Sequence, residues 1–202
     1  MRYNVRELVY VGVFGGLWGA IEISAGSALH ALAVPFAGLL LAATGLTIAL
    51  VGRLYVPRPG SVLFMALATA FLKMFSVGGV VVTPIIGILM EGILAEGGLL
   101  LFRSSRAGFS VSAAVATLWP LVQPFVTQGL LLGGAGVLGV YDGVLRLGAK
   151  LFGLTPASGL AIVGLLVAMH AAAGVLAGIM AWHVGTALRA RGHEWTSESR
   201  RQ

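Results

Sequence analysis

The chain has 202 residues, 58% of them hydrophobic and 10% charged, with a mean hydropathy of +0.97, a formal net charge of +6 and no cysteine. A soluble domain carries about 25% charged residues, so this composition excludes one, and the lack of cysteine excludes a disulfide framework, a thiolate metal centre and a cysteine nucleophile. The basic residues gather at the ends of apolar segments, where topology and anionic lipid account for them, which argues against nucleic acid as a partner.

At about 20 residues per spanning helix, a chain of this length holds roughly six spans and no sizeable extramembrane domain. In chain order the apolar segments run 8–30, 35–54, 61–78, 83–102, 109–133 and 159–188. The expected architecture is an all-α integral membrane protein, a six-helix bundle over 1–188 with a polar tail at 189–202. The first run is longer than the roughly 7–15 apolar residues of a signal peptide, so it reads as a retained helix although Ala31-Leu32-Ala33 resembles a cleavage site. Pro35 opens the second segment, and Pro57, Pro59 and Gly60 mark the turn after it. Thr83-Pro84 opens the fourth, near the first helical position where proline is tolerated. A short basic loop follows. The connection 133–158 is unusual, because Val140, Val144, Leu147 and Leu151 recur at helical spacing beside Asp142, Arg146 and Lys150. That pattern predicts an amphipathic interfacial helix between the fifth and sixth spans, either a lid on the bilayer surface or a direct ligand contact.

Charge sets the expected direction. Ten of the thirteen Lys/Arg lie at Arg2/Arg6, Arg53/Arg58, Arg103/Arg106 and Arg189/Arg191/Arg200/Arg201. The positive-inside rule places all four stretches, and with them both termini, in the cytoplasm.

Ionisable groups within a span cost on the order of 2.5–3.5 kcal/mol each at a helix centre, so Glu22, Lys73, Glu91 and Glu96 each need a reason. A rise of about 1.5 Å per residue from the cytoplasmic ends puts Glu22 near 21 Å, Lys73 near 18 Å and Glu91 near 17 Å. Gln123 at about 21 Å and His170 at about 25 Å join the same layer. Trp18 precedes Glu22 by four residues and Trp119 precedes Gln123 by four, so each pair shares a helix face. Read as a binding layer, the carboxylates accept hydrogen bonds from an aminopyrimidine or other amidine-like cation and the indoles stack its ring. Gln123 and Gln128 then supply neutral donors and acceptors, and Lys73 either trims the acidic charge or meets an anionic substituent. Read as packing, Lys73 neutralises Glu22 or Glu91 between helices and the tryptophans fill the bundle. Glu96 lies about 140° around the helix from Glu91, which suits pairing with a neighbouring helix or subunit, or a hydrated place near the interface. His30 suits an entrance or solvent, and His183 the inner interface.

Gly12, Gly16 and Ala20 recur at four-residue steps, with Gly15 and Gly19 beside them, a doubled small-residue pattern that admits close approach of another helix. Such a face serves either a partner or the bundle itself, and Gly174 and Gly178 repeat the spacing in the last segment.

No G-x-x-x-x-G-K-[ST], H-E-x-x-H or G-x-S-x-G occurs, so ATP hydrolysis, zinc proteolysis and acyl transfer lack their usual residues. The expectation is a chain that is no enzyme and carries no cofactor or metal. Pro57-Arg58-Pro59-Gly60 through Leu72-Lys73, followed by Gly87-Ile88-Leu89-Met90-Glu91-Gly92-Ile93-Leu94-Ala95-Glu96, resembles the third and fourth helices of substrate-binding S components of energy-coupling factor (ECF) vitamin transporters. The likeness is to the branch for thiamine or its hydroxymethylpyrimidine precursor, whose fourth helix commonly reads G-L-L-Q-G-L-G-A-E. Glu96 matches that family's glutamate, whereas Glu91 replaces the glutamine and Lys73 stands near an expected acid.

The resemblance implies six helices in the inner membrane of a prokaryote, a vitamin captured outside, and partners consisting of a transmembrane coupling subunit and two ATPases. It also implies that Gly12, Gly16 and Ala20 dock on the coupling subunit. Two other functions fit the residues: a proton-coupled secondary transporter using Glu91 or Glu22, and a non-transporting scaffold in which the charged layer only joins helices.

Overall fold

The computed structural model describes residues 3–76, 82–155 and 157–198, and among them the regular structure is entirely helical. The order is α1 (Val5–Ala31), α2 (Ala37–Tyr55), α3 (Ser61–Lys73), α4 (Val82–Phe102), α5 (Arg106–Ala116), α6 (Trp119–Phe152) and α7 (Gly159–Glu198). Five stretches are long and apolar enough to cross a membrane, namely Val5–Leu29, Ala37–Tyr55, Val82–Phe102, Arg106–Phe152 and Gly159–Arg191. This is the architecture of a multi-pass membrane protein.

Two of the expected boundaries are corrected. Of the segment expected at 61–78, α3 covers the 13 residues Ser61–Lys73, a rod of about 20 Å against a hydrocarbon core of about 30 Å, while 77 and 78 lie outside the described residues. The segment expected as one helix at 109–133 is broken at Thr117–Leu118. Pro120 brings no amide hydrogen to the Ala116 carbonyl, and Pro124 brings none to the Pro120 carbonyl. The Thr117 hydroxyl bridges the break, lying 3.0 Å from the Ala113 and Ala114 carbonyls and 2.9 Å from that of His170 on α7. Beyond residue 189, where the polar tail is expected, α7 continues without interruption to Glu198.

Of the connection 133–158, residues 134–152 form the second half of α6. Gly133, at φ 62° and ψ −147°, turns the chain sharply in a region that only glycine tolerates. The helix then doubles back so that Val137 approaches Gly129 and Gly136 approaches the Gln128 carbonyl. It leans on the start of α7, where Ala149, Ile162 and Leu166 are buried with Phe36, Leu121 and Leu145 around them. Its polar side carries the exposed Asp142–Arg146 ion pair.

The main core forms where small residues let helices close on one another. Gly15 and Gly19 of α1 abut Met65, Ala68 and Leu72 of α3, and Gly92 of α4 abuts Ala66. Gly174 and Gly178 of α7 close on the backbone of α5 at Ala113, Ala114, Phe109 and Ser110, so their spacing serves packing within the bundle. Trp18, Leu46, Leu50, Met65, Leu99 and Phe109 fill the centre.

Cross-helix contacts define two ends. Tyr3 bonds the Pro59 carbonyl, Glu7 pairs with Arg58, Arg53 reaches Ser104, and Gly185 meets Leu54, which gathers the N-terminus, the α2–α3 and α4–α5 turns and the latter part of α7. At the opposite end Gly38 faces Pro120, Gln123 bonds Thr83, and Phe36 stacks edge-on with His170.

Candidate functional site

Four helix segments at that opposite end enclose a cavity of about 560 Å³. The C-terminal part of α1 contributes Glu22, the start of α2 Gly38 and Leu41, and the start of α4 Thr83, Pro84, Gly87, Ile88 and Glu91. Pro120, Gln123, Pro124, Thr127, Gln128 and Leu131 come from the first half of α6. Prolines recur here for a physical reason. Pro84 sits in the first turn of α4, where no ladder bond is lost, whereas Pro124 leaves the Pro120 carbonyl without its usual donor, which is tolerated at membrane depth where protein or a cavity surrounds it.

The carboxylates face the cavity in different states. Glu22, 4% exposed, is approached by Lys73, whose Nζ donates to the Glu22 backbone carbonyl at 2.5 Å and stands 3.9 Å from Oε2. Lys73 thus settles the pairing in favour of Glu22, crossing from the last turn of α3 to α1 beside Gly26. Glu91, 5% exposed, has an Oε2 that is buried and accepts no hydrogen bond. Burying such an oxygen without a partner costs roughly 1–3 kcal/mol, more when it is charged.

Gln123 donates its amide to the Thr83 carbonyl at 2.6 Å, tying α6 to α4, and its Oε1 lies against Gly87. A methyl group on Gly87 would sit 2.9 Å from that oxygen, so glycine there keeps room for it. The Thr127 hydroxyl donates back to the Gln123 carbonyl at 3.0 Å. Gln128 is half-buried on the cavity wall.

Of the residues that sequence reasoning assigned to a site, Glu22, Glu91, Gln123 and Gln128 line the cavity, and Lys73 reaches it through Glu22. Three do not line it. Trp18 is fully buried in the core, its indole laid over Gly45 of α2 where any side chain would collide with it. Trp119 is half-buried beside the break between α5 and α6, with its Nε1 buried and unpartnered. His170 is buried with Nδ1 on the Leu166 carbonyl at 2.8 Å and its ring against Phe36. The shared-face argument placed these rings beside the polar groups but left helix rotation open. Gly38, Thr83, Pro84, Pro120, Pro124 and Thr127 were missed. The signal that could have found them is the run of three prolines inside apolar helices, two of them flanking Gln123.

Gly12 and Ala20 are exposed and Gly16 is half-exposed, and a side chain at either glycine would meet no atom within 4 Å. This face of α1 is open, in contrast to the Gly15/Gly19 face. His183 is exposed on α7, and the side chain of His30 lies outside the described residues.

Glu96 belongs to a different centre. It pairs with Arg53 at 2.9 Å and accepts from the Val62 amide at 3.0 Å, capping the N-terminus of α3. Arg53 also bonds Ser61 at 3.1 Å, Ser104 at 3.2 Å and the Arg58 carbonyl. Of the alternatives for Glu96, the buried pair with a neighbouring helix is the one realised. At the nearby surface, burial first and then the charge of Glu96 push the Tyr3 phenol above its ordinary value, keeping it a donor to Pro59.

Among the described residues no group of three or more His, Cys, Asp or Glu is placed to hold a metal ion. Comparison with family models, curated proteins and solved structures yields no match, so the chemistry of the cavity carries the functional argument alone.

Proposed function

We propose that the chain is the membrane-embedded solute-binding subunit of an ATP-driven importer of the ECF type, capturing a small water-soluble vitamin or precursor, with thiamine or hydroxymethylpyrimidine first among them. The observation that carries this reading is Glu91, a buried carboxylate with an unpartnered oxygen on the wall of a 560 Å³ cavity. Ligand pockets commonly measure about 300–1,000 Å³ with a few placed polar groups on an apolar wall. A scaffold gains nothing from an unmatched acid in a span, whereas a binding subunit needs one to recognise its solute.

In this reading the cavity faces outward and both termini lie in the cytoplasm of a prokaryote, as the basic residues favour. A transmembrane coupling subunit and two ATPases supply the energy, and the open Gly12/Gly16/Ala20 face of α1 meets the coupling subunit. No covalent chemistry is required of this chain, and no cofactor.

Native mass spectrometry of the detergent-purified protein, with thiamine, hydroxymethylpyrimidine and other vitamins added in turn, tests the proposal. The expected result is a vitamin-sized adduct that is lost in Glu91→Gln. Absence of any adduct from folded protein favours the scaffold. The same unpartnered carboxyl also suits a proton carrier, and solute uptake by proteoliposomes holding this chain alone would establish that reading instead.

A further inference from the structure

We infer that the cavity selects a solute carrying one net positive charge on an edge of N–H donors, such as an amidinium or a protonated aminoheterocycle, and rejects anionic solutes. The inference rests on the solute-binding reading and gives its substrate class. It also resolves an alternative that the sequence leaves open, the role of Lys73.

The charge count comes from the ion pair. Two carboxylates line the cavity, and among the described residues no Lys, Arg or His lines it. Lys73 is committed to Glu22 through both its backbone carbonyl and its carboxylate, and its Nζ is packed against Gly26. One acid is thereby offset by a cation that stands behind the wall. Glu91, nineteen-twentieths buried and with Oε2 unpartnered, is the acid left over. An anionic group brought into this space would meet a buried carboxylate with no facing cation, and like charge in a low-dielectric site is strongly unfavourable.

The hydrogen-bond count points the same way. Gln123 places one of its two amide hydrogens on Thr83, which fixes the amide so that Oε1 lies beside Gly87 as an acceptor. Thr127 spends its hydroxyl hydrogen on the Gln123 or Pro124 carbonyl. Pro124 deprives the Pro120 carbonyl of its usual helical donor. Gln123 Oε1, the Thr127 oxygen and the Pro120 carbonyl therefore present acceptors beside Glu91, Gln128 can donate or accept, and the rest of the wall is mainly apolar, with Leu41, Ile88 and Leu131. A solute rich in donors with a flat or alkyl body satisfies such a wall, while one rich in acceptors leaves it unsatisfied. Lys73 is a positioning residue in this scheme, setting the charge that the solute must bring.

The test uses three near-isosteric probes of different charge, benzamidine, benzamide and benzoate, titrated into the full chain in detergent with ligand-observed NMR. Benzamidine is expected to bind roughly tenfold or more tightly than benzamide, as a charge-assisted bond exceeds a neutral one, with no binding of benzoate. Glu91→Gln, which keeps shape, should erase the preference for benzamidine. Lys73→Met should shift preference toward the dication 4-(aminomethyl)benzamidine, a change that a purely structural lysine would not produce.

Gly38→Trp places a ring at the cavity wall, where a Cβ meets only Pro120 at 3.4 Å, and should abolish benzamidine binding. Benzamidine binding that survives this change lies elsewhere and overturns the inference. Benzamide or benzoate binding as well as benzamidine, and blocked by Gly38→Trp, overturns the charge assignment while the solute-binding reading stands. Absence of benzamidine binding also overturns it. A vitamin-sized adduct in native mass spectrometry would then preserve the solute-binding reading, and its absence would end both.

Discussion

Arg53 and Glu96 at one end of the bundle and Glu22, Lys73 and Glu91 at the other are equally removed from solvent, all 4–6% exposed. They differ in how fully they are matched. Around Arg53–Glu96 the charges offset each other, and Ser61, Ser104, Val62 and the Arg58 carbonyl take up remaining hydrogen-bonding capacity. At the other end Lys73 pairs with Glu22 alone, and an oxygen of Glu91 is left without a partner. A closed network holds helices together, whereas an open one beside a cavity has capacity for something that is not part of the chain.

The sharpest test of that contrast is to open the closed network. Arg53→Met strands Glu96 in a dry interior and is expected to cost about 3–5 kcal/mol, the usual penalty for removing one partner of a buried pair. Unfolding in detergent, followed by circular dichroism, measures it. A loss below about 1 kcal/mol would mean that the network is no more structural than an exposed pair.

The next effect concerns Trp18, which the sequence assigned to the cavity and the fold assigns to the core. Gly45→Val drives a side chain into the indole and should destabilise by about 1–3 kcal/mol. Trp18→Phe should leave solute affinity unchanged, because the ring does not line the cavity. Affinity lost in proportion to the indole would instead return Trp18 to the site.

Why some of this was legible and some was not follows from period and rotation. Apolar runs reveal spans and their depth, so the layer holding Glu22, Lys73, Glu91 and Gln123 was visible. Depth does not specify azimuth. Trp18 and Glu22 are four residues apart and hence about 40° apart on the helix, enough for one to face Gly45 and the other the cavity. Arg53 reads in the sequence as a topology signal at the cytoplasmic end of the second segment, yet in the last turn of α2 it pairs inward. The break at Thr117–Leu118 was hidden because Pro120 and Pro124 sit in a stretch apolar enough to be drawn as one span.

At the open network the expected sign reverses. Glu91→Leu removes an unpartnered buried oxygen, and the protein should be unchanged or more stable by about 0.5–2 kcal/mol while losing solute binding, the usual trade where a site holds unmet polarity. Comparing its melting curve with that of Arg53→Met, in the absence of solute, sets the two networks side by side. If Glu91→Leu unfolds the protein as readily, Glu91 is structural and the contrast collapses.

The smallest effect is expected on α1, where the same contrast between met and unmet surface recurs without charge. Gly15 and Gly19 close on α3, so Gly15→Val collides with Ala68 and the Met65 carbonyl. Gly12 and Gly16 face open space, and Gly12→Ala should not destabilise the isolated chain but raise its stability by up to about 1 kcal/mol. A helix that needs glycine only for its own bundle would keep it at the packed positions alone, since each exposed helical glycine costs up to about 1 kcal/mol relative to alanine. Retaining two on the open side is therefore informative only if another helix closes there. Crosslinking at position 16 in native membranes distinguishes the cases. A discrete adduct with a second membrane protein, weakened by Gly12→Leu while the melting temperature holds, gives the open face a partner, and lipid adducts alone leave it facing the bilayer.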